Sequence, residues 1–179
     1  MKIIETDIEG LFVLEYNCFN DHRGNFVKTI HQETFNNFGL DSDFKESFYS
    51  ISKKNVIRGM HFQPPPDDHS KLVYVVSGKI LDVVLDIRTN SKTFGNYFLI
   101  EIDSKKPVAI YIGKGLAHGF LSLSNESIVE YHTTTPHSAL NETGIKYDSF
   151  NFNWYGIKNP IISDRDLNFE TFKNYKSPF

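Results

Sequence analysis

The sequence predicts an all-β fold, a single antiparallel barrel or jelly roll with little helix. Short apolar runs recur every eight to twelve residues along most of the 179-residue chain, a spacing typical of a β-sandwich or barrel. The 16 Phe, 9 Tyr and 1 Trp suit a β-rich interior, because aromatic side chains fit the half-buried surface of a sheet. No stretch resembles a linker or an internal repeat, so we expect one domain spanning residues 1–179.

The expected elements follow one another along the chain. The first strands are the apolar runs Leu11–Tyr16 and Phe26–Ile30. A short helix is expected over residues 32–39, closed by Gly39. Further strands are expected at residues 46–52, 56–62, 71–77, 79–88, 97–102, 108–112, 119–123 and 127–134. A second short helix is expected from Asp164 to Tyr175.

Strand 79–88 has the clearest alternation of the chain. One face carries only apolar side chains, namely Leu81, Val83, Leu85 and Ile87. The other face combines Ile80 and Val84 with the charged side chains Asp82, Asp86 and Arg88. This mixed face could line a polar cavity, but alternation alone favours a solvated outer face. Gly78 predicts a tight hairpin between this strand and strand 71–77.

Charge and cysteine content narrow the classes of function. The formal net charge of −3 gives the molecule no general attraction for nucleic acid or for an anionic membrane. No apolar stretch approaches the ~20 residues of a membrane span. Cys18 is the single cysteine, so no disulfide can form within the chain, and no ordinary signal peptide precedes it. We therefore expect a cytoplasmic protein.

Residues 56–77 contain the most informative group of polar side chains. They place Arg58, His61, Gln63 and Lys71 within two otherwise apolar strands. Burying charges costs several kcal/mol unless a partner offsets the loss of water. The pattern therefore predicts a pocket for an anionic ligand and a proton-transfer reaction. A neutral imidazole with a pKa of ~6.5 is well suited to act as a general base.

A histidine base needs a hydrogen-bond acceptor on its other ring nitrogen. The sequence offers four aspartates without distinguishing among them: Asp82, Asp86, Asp164 and Asp166. His118 stands where a cupin-type barrel would bring a second histidine to the same cavity. A catalytic metal is disfavoured, because Gln63 is a poor ligand and the ammonium of Lys71 would repel a divalent ion.

Two further features fit proton transfer to an anionic substrate. The phenol of Tyr131, with a pKa of ~10, could give or take a proton opposite a base, although a packed aromatic is the commoner role. Arg23 and Arg58 each precede a glycine, Gly24 and Gly59, where the backbone can approach a ligand closely. This arrangement favours anion binding.

Together these motifs resemble those of the dTDP-4-dehydrorhamnose 3,5-epimerase family, a metal-free branch of the cupins. The matching segments are DHRGNF (21–26), VIRGMHFQ (56–63), KLVYVVSGKILDVVLDIR (71–88), SKTFG (91–95), GLAHGF (115–120) and SDRD (163–166). The resemblance implies a cupin-type jelly-roll β-barrel with short peripheral helices. It also implies a cofactor-independent isomerase for a nucleotide-linked 4-keto-6-deoxy sugar, in deoxysugar and surface polysaccharide biosynthesis. The family's members are homodimers that share N-terminal segments.

The resemblance also implies a role for each matching residue. His61 is similar to the base that removes the proton beside the ketone, and Asp166 to its orienting partner. Tyr131 matches the tyrosine that protonates the opposite face, and Lys71 the residue that stabilises the enolate oxygen. The implied substrate-binding residues are Arg23 and Arg58 at the diphosphate, Gln63 and His118 in the cavity wall, and Phe26, Lys28, Glu46 and His137 around the nucleotide and sugar.

Several positions depart from the family's pattern. Lys28 replaces a glutamate that contacts the thymine base, and His137 replaces an aromatic residue near the sugar. Glu46 and Phe48 stand where glutamine and asparagine are common, and Gly113 replaces a proline. Because the acid–base residues are retained, the reaction type follows more directly than the substrate. We expect dTDP as the nucleotide, with CDP and GDP as alternatives, and epimerisation at C3, C5 or both.

Two other functions are compatible with the same barrel, because a fold does not fix its chemistry. One is a 3,4-ketoisomerase or dehydratase, against which the retained Tyr131 argues. The other is a non-catalytic carbohydrate-binding cupin, which predicts that His61→Asn would leave cellular function intact.

Overall fold

The computed structural model describes all 179 residues and contains thirteen strands and two short helices. The strands are β1 (Lys2–Glu5), β2 (Leu11–Glu15), β3 (Cys18–Asp21), β4 (Gly24–Val27), β5 (Glu46–Lys53), β6 (Ile57–Phe62), β7 (Lys71–Ser77), β8 (Lys79–Asp86), β9 (Tyr97–Asp103), β10 (Val108–Ile112), β11 (Leu116–Ser122), β12 (Glu126–Thr133) and β13 (Thr143–Gly144). The helices are α1 (Gln32–Asn37) and α2 (Asp164–Leu167). Neither helix is long and apolar enough to cross a membrane.

Two antiparallel sheets face each other and enclose the main core. The six-stranded sheet has the order β1-β2-β10-β7-β12-β5, and the five-stranded sheet has the order β13-β6-β11-β8-β9. Val73 and Val129 from the first sheet pack in one cluster with Val84 and Phe120 from the second. This is a jelly-roll barrel, so the predicted all-β class is confirmed. Strands β3 and β4 form a separate hairpin.

The outer faces of the two sheets are covered by different parts of the chain. On the five-stranded sheet, Leu81 and Leu85 of β8 pack with Trp154 of the C-terminal segment. On the six-stranded sheet, Phe35 of α1 packs edge-to-face against Tyr111, with ring centroids 6.1 Å apart. Both sheets therefore carry a second apolar layer on part of their outer faces.

The prediction that the Asp82 face of β8 is exposed to solvent is wrong. Asp82 and Asp86 are both fully buried. Asp82 lies on the same face of β8 as the core residue Val84, which faces the space between the sheets. Strand alternation identifies two faces but cannot tell how many are covered. Here the C-terminal segment buries the Leu81 face as well, so β8 has no solvated side. Asp86 forms an ion pair with Arg88, with its Oδ2 2.8 Å from Nη2 of the guanidinium.

The ends of three predicted elements also differ from the structure. The strand expected at Phe26–Ile30 ends at Val27, because its partner strand β3 begins at Cys18, which pairs with Val27. The helix expected over residues 32–39 ends at Asn37. The helix expected from Asp164 to Tyr175 ends at Leu167, where Asn168 folds back and its side-chain amide donates to the carbonyl of Asp164 at 2.8 Å. The hairpin predicted at Gly78 is wrong: Gly78, with φ +84°, turns the chain, but β7 and β8 belong to different sheets and do not pair, so the turn carries the chain from one sheet to the other.

Candidate active site

Strands β6 and β11 carry two histidines side by side. Their antiparallel register pairs His61 with His118, and it shifts just after His118, where β6 contains one extra residue. Glycines permit the close approach of the strands at this point, since a Cβ at Gly59 would lie 2.5 Å from the Cα of Gly119. The extra residue places Arg58 and His61 on the same face of β6, toward the interior of the barrel.

Helix α2 holds His61 through Asp166. The Nε2 of His61 lies 3.0 Å from Oδ1 of Asp166, while Oδ2 accepts the N–H of Gly59 at 3.1 Å. Burial alone would raise the pKa of Asp166, but the hydrogen bond and charge of His61, with the Gly59 N–H and Ser163, lower it to about 2. Because the carboxylate is ionised, we assign Nε2 of His61 as the donor, which leaves Nδ1 as the basic nitrogen.

Arg165 lies beside this pair. One guanidinium nitrogen is 3.1 Å from Nε2 of His61, another is 3.4 Å from Asp166, and a third pairs with Glu142. Nε2 cannot donate to Asp166 and accept from Arg165 at once. The bond to the carboxylate is charge-assisted and therefore stronger, so Arg165 acts here as a neighbouring charge that Glu142 holds in place.

Tyr131 approaches from the opposite sheet. Its ring lies edge-to-face with that of His118, with centroids 6.3 Å apart, and its hydroxyl is 3.2 Å from Oγ of Ser50. The ring of Phe48 stacks on that of Tyr131, with centroids 4.9 Å apart. Burial raises the pKa of the phenol, so Tyr131 is protonated and available as a donor. His118, the neighbour of His61 on the adjacent strand, therefore connects the base with the tyrosine of the facing sheet.

Lys71 is a buried cation at the start of β7, opposite Thr133 of β12. Only 8% of its surface is exposed, and its ammonium makes no hydrogen bond within the chain. Burial lowers the pKa of Lys71 to about 8, although the charges of Glu142 and Asp82 act in the opposite direction. Asp82 in turn pairs with His118, with Oδ2 2.9 Å from Nε2. Lys71, Asp82 and His118 are therefore buried polar side chains within the barrel.

A cavity of about 300 Å³ opens beside the base. Its lining includes Arg58, His61, Arg165 and Asp166. The guanidinium of Arg58 is held by Oγ of Ser52, which accepts from Nε at 2.9 Å. Two guanidinium groups next to a histidine base suit an anionic ligand whose reacting carbon reaches deeper into the barrel.

Gln63, which was expected in the cavity wall, has both ends of its amide hydrogen-bonded within the chain. Its Oε1 accepts the N–H of Ser138 at 2.7 Å, and its Nε2 donates to the carbonyl of Asp67 at 2.7 Å. Gln63 therefore fastens the loop that follows β12. The carboxylate of Glu46 accepts the N–H of His137 in the same loop at 2.5 Å. These contacts place Glu46 and His137 together at the rim.

The structure does not bring Arg23, Phe26 and Lys28 to the cavity of their own chain. Arg23 and Phe26 lie on the β3–β4 hairpin, and Lys28 follows it. Arg23 is largely exposed and forms an ion pair with Asp21 of the same hairpin. The ring centroids of Phe26 and Phe19 are 6.4 Å apart. Of the other predicted site residues, Arg58, His61 and Asp166 line the cavity beside the base.

Sequence reasoning missed two residues of the site, Arg165 and Glu142. Arg165 lies within the SDRD motif and could have been noticed there, but its partner Glu142 comes from a distant loop that carries no local signal. Of the four aspartates left open as the partner of His61, Asp166 is the one beside it.

The donor geometry is that of proton transfer. No group of three or more His, Cys, Asp and Glu side chains is arranged to hold a metal ion. Each cavity histidine instead faces one aspartate, in the pairs His61–Asp166 and His118–Asp82. A base, a protonated phenol on the facing sheet and a buried ammonium are the groups needed to move a proton next to a carbonyl.

The fold and this site define an enzyme of the isomerase class, a carbohydrate epimerase. The family model for dTDP-4-dehydrorhamnose 3,5-epimerase matches residues 5–174, and the chain belongs to that family. The predicted family and enzyme class are thereby confirmed.

Similar proteins cover nearly the whole chain. The dTDP-4-dehydrorhamnose 3,5-epimerase of Shigella flexneri is 35% identical over 175 residues, 96% of each chain. A dTDP-6-deoxy-D-glucose-3,5-epimerase from Legionella pneumophila, in complex with dTDP-4-keto-L-rhamnose, superposes with a TM-score of 0.93 at 29% identity, covering 98% of this chain and 94% of that one. A 3'-monoepimerase from Streptomyces bikiniensis, in complex with dTDP-quinovose, has a TM-score of 0.89 at 29% identity, covering 94% and 86%.

Proposed function

We propose that the protein epimerises a dTDP-linked 4-keto-6-deoxy sugar at C3, C5 or both, for deoxysugar and surface polysaccharide biosynthesis. The observation that carries this proposal is the His61–Asp166 pair next to His118, whose ring contacts that of Tyr131 from the facing sheet. The choice of nucleotide is supported by the two similar structures, whose ligands are dTDP-4-keto-L-rhamnose and dTDP-quinovose.

Proton removal requires a base and a donor for the developing negative charge. A C–H next to a ketone is a weak acid, so abstraction is slow unless the enolate oxygen is stabilised as it forms. His61 takes the proton on Nδ1, and ionised Asp166 stabilises the resulting imidazolium. The ammonium of Lys71 donates to the enolate oxygen, a type of contact that contributes about 3–4 kcal/mol in comparable sites.

Inversion requires that the new proton arrive from the other face of the carbon. Tyr131 lies on the sheet opposite His61, and its buried phenol carries a proton. It donates that proton to the carbon on the face remote from the base. The same two groups act at C3 and, in an enzyme that inverts both carbons, at C5.

Binding of the diphosphate involves Arg58 from the same chain and Arg23 from a second one. The exposed position of Arg23 on the hairpin, away from its own cavity, supports a homodimer in which this N-terminal segment reaches the partner's site. Phe26 and Lys28 accompany it toward the nucleotide. Exposed Tyr49, on the outer face of the six-stranded sheet, is part of an apolar surface for such a dimer, together with Ile51 and Val76.

Glu46, His137 and His118 complete the proposed sugar-binding wall, with Gln63 holding the rim loop in place. His137 also lies 3.2 Å from Glu142, which fixes its ring at the mouth of the cavity. We place the enzyme in the cytoplasm, where the single cysteine stays reduced.

Deuterium exchange tests the function. The protein is incubated in deuterium oxide with dTDP-4-keto-6-deoxyglucose, and NMR then locates deuterium at C3, C5 or both, with inversion. His61→Asn should abolish exchange. Tyr131→Phe should retain exchange but lose inversion, because the base can return a deuteron to the face it came from. Absence of exchange with dTDP-, CDP- and GDP-linked 4-keto sugars would refute the proposal, and a product with a moved carbonyl would identify a ketoisomerase.

A thermal-shift screen tests the nucleotide. Binding to the folded state raises the unfolding midpoint by mass action, so the preferred nucleotide gives the largest increase at equal concentration. We expect dTDP to exceed CDP, GDP and UDP. A larger increase with another nucleotide would show that Lys28 and Glu46 redirect base recognition. Lys28→Glu, which restores the residue common in the family, provides the matched comparison.

A further inference from the structure

Each inversion of a carbon displaces two protons within the proposed site. His61 gains the proton that it removes from one face of the carbon, and Tyr131 loses the proton that it gives to the other face. Both side chains must return to their starting forms before the reaction can occur again. One proton therefore has to leave His61, and another has to reach Tyr131, in every cycle.

His61 and Tyr131 differ in their access to water. The side chain of His61 is partly exposed, so its extra proton can pass to solvent. Tyr131 is buried, and the ring of Phe48 covers it with an angle of 14° between the two planes. Burial raises the pKa of the phenol, so a phenolate left at this position has a strong tendency to take up a proton. The phenolate needs a neighbouring donor through which that proton can arrive.

Ser50 is the side chain that contacts the hydroxyl of Tyr131. Its Oγ lies 3.2 Å from the phenolic oxygen, and either atom can be the donor. The contact follows from the pairing of β5 with β12, in which Phe48 lies opposite Tyr131 and Ser50 lies opposite Val129, so that Ser50 is the diagonal neighbour of the tyrosine on one face of the sheet. Ser50 is only partly buried. A serine hydroxyl can donate one hydrogen bond while it accepts another, so Ser50 can connect the phenol with water.

Ser52 lies on the same face of β5 and has a different task. It is buried, and its Oγ accepts a hydrogen bond from Nε of Arg58 at 2.9 Å. Of these two serines, Ser50 is therefore the one that has contact with both the phenol and solvent.

We propose that Ser50 is the proton relay of Tyr131, which donates its hydroxyl proton to the phenolate after each inversion and takes a replacement from water. The O–H bond of Ser50 breaks as the O–H bond of Tyr131 forms, and a proton from water then restores Ser50. The proton that His61 releases to solvent balances the one taken in through Ser50. The inference rests on the proposed function, since it concerns the same reaction. Ser50 acts only through Tyr131 and is therefore a positioning residue.

The rates of the first and later turnovers of Ser50→Ala test the relay. Rapid-quench measurements with excess dTDP-4-keto-6-deoxyglucose compare the rate of the first turnover with the steady-state rate. The first turnover uses the proton already present on Tyr131, so it should keep nearly its wild-type rate. Later turnovers should be slowed about tenfold, less than for loss of the donor itself, because water can partly replace the missing hydroxyl. Equal slowing of the first and later turnovers would overturn the proposal.

Two isosteric variants separate the hydroxyl from the shape of the side chain. Ser50→Thr keeps the hydroxyl and should show the wild-type ratio of first-turnover to steady-state rate. Ser50→Val has nearly the same shape without the hydroxyl and should raise that ratio about tenfold, as Ser50→Ala does. It also provides the test if Ser50→Ala does not fold. The same ratio in the threonine and valine variants would refute a role for the hydroxyl.

A small acid should replace the missing hydroxyl. Imidazole buffer, added to Ser50→Ala at constant pH and ionic strength, should raise the steady-state rate with concentration and leave the first turnover unchanged. A rate that is independent of buffer concentration would contradict the relay. Ser47→Ala is the matched control, because the hydroxyl of Ser47 bonds instead to Glu130, at 2.8 Å. That variant should show the wild-type ratio and no effect of buffer.

Failure of the relay and failure of the proposed function give different results. Absence of product from the wild type with every 4-keto sugar would refute the proposed function and the relay with it. Normal turnover of the wild type, together with an unchanged ratio in Ser50→Ala and Ser50→Val, would refute the relay alone.

Discussion

Two histidine–aspartate pairs lie side by side on adjacent strands, and they differ in how accessible they are. The side chain of His61 is 22% exposed, whereas that of His118 is 4% exposed. A substrate carbon can therefore reach the free ring nitrogen of His61, while His118 is enclosed between the sheets. The same pairing of side chains thus occurs once at a partly exposed histidine, the proposed base, and once at a buried one.

Asp166→Asn should lower kcat by about 10²–10⁴-fold, because an amide cannot stabilise the imidazolium that forms when His61 takes the proton. The fold should persist, since the amide oxygen can still accept the N–H of Gly59. Asp164→Asn, an exposed change in the same helix, is the matched control and should keep nearly full activity. Steady-state kinetics decide the matter, and wild-type turnover in Asp166→Asn would contradict the assigned base.

His69 should make the protein less stable in acid. Burial lowers its pKa from 6.5 to about 3, so below pH 6.5 the unfolded chain binds a proton that the folded chain does not. The free energy of unfolding should therefore decrease as the pH falls from 6.5 toward 3, by about 2 kcal/mol at about pH 5. Urea titrations of wild type and His69→Asn should differ in this pH dependence, with exposed His22→Asn as the control. An identical pH dependence would refute the assignment.

At the scale of the elements, the sequence predicted most strands because side-chain alternation is a local property. Strand β8 shows the limit of that signal. Its two faces are clear from the sequence, but whether each is solvated depends on the C-terminal segment, which packs on it from about 70 residues away. The predicted length of helix α2 was too great for a similar reason. Its end is set by the contact between Asn168 and Asp164 rather than by the helix preferences of individual residues.

Gly59→Ala should destabilise the protein by more than about 4 kcal/mol, because a Cβ would lie 2.5 Å from the Cα of Gly119 and 2.8 Å from the carbonyl oxygen of His118. Its φ of +126° adds strain for any L-residue. Gly39→Ala is the matched control, since Gly39 also has a positive φ, +68°, but nothing lies within 4 Å of its Cβ position. That change should cost about 1–2 kcal/mol. Chemical denaturation compares the two, and equal costs would mean that the close approach of β6 and β11 is unimportant.

At the scale of the whole molecule, the sequence identifies the candidate catalytic residues more readily than the contacts that surround them. His61, Lys71 and Tyr131 lie in recognisable strand motifs, so the resemblance to a family identifies them directly. The clamp of Gln63 on Ser138 and the pairing of Arg165 with Glu142 join segments that are distant in sequence. Such contacts follow from the closed barrel and have no local pattern from which to predict them.

Mixed dimers should recover activity if Arg23 serves the partner's cavity. Arg23→Ala and His61→Asn should each be nearly inactive alone, since each damages both sites. After co-refolding of equal amounts, half the dimers are mixed and contain one intact site, so about a quarter of wild-type activity should return. Arg58→Ala mixed with His61→Asn is the control without recovery, because both residues serve the same chain's cavity. No recovery in the Arg23 mixture would place that arginine outside the site.

The bond between Gly59 and Asp166 spans 107 residues of sequence. Catalytic competence is consequently one of the last properties that a folding chain acquires, since long-range closure is entropically slow. A refolding experiment should recover circular dichroism before turnover, and the lag between the two would time the docking of α2. Chains in which α2 has not yet docked would be folded but inactive. The recovery of activity would therefore report that assembly of the site is complete.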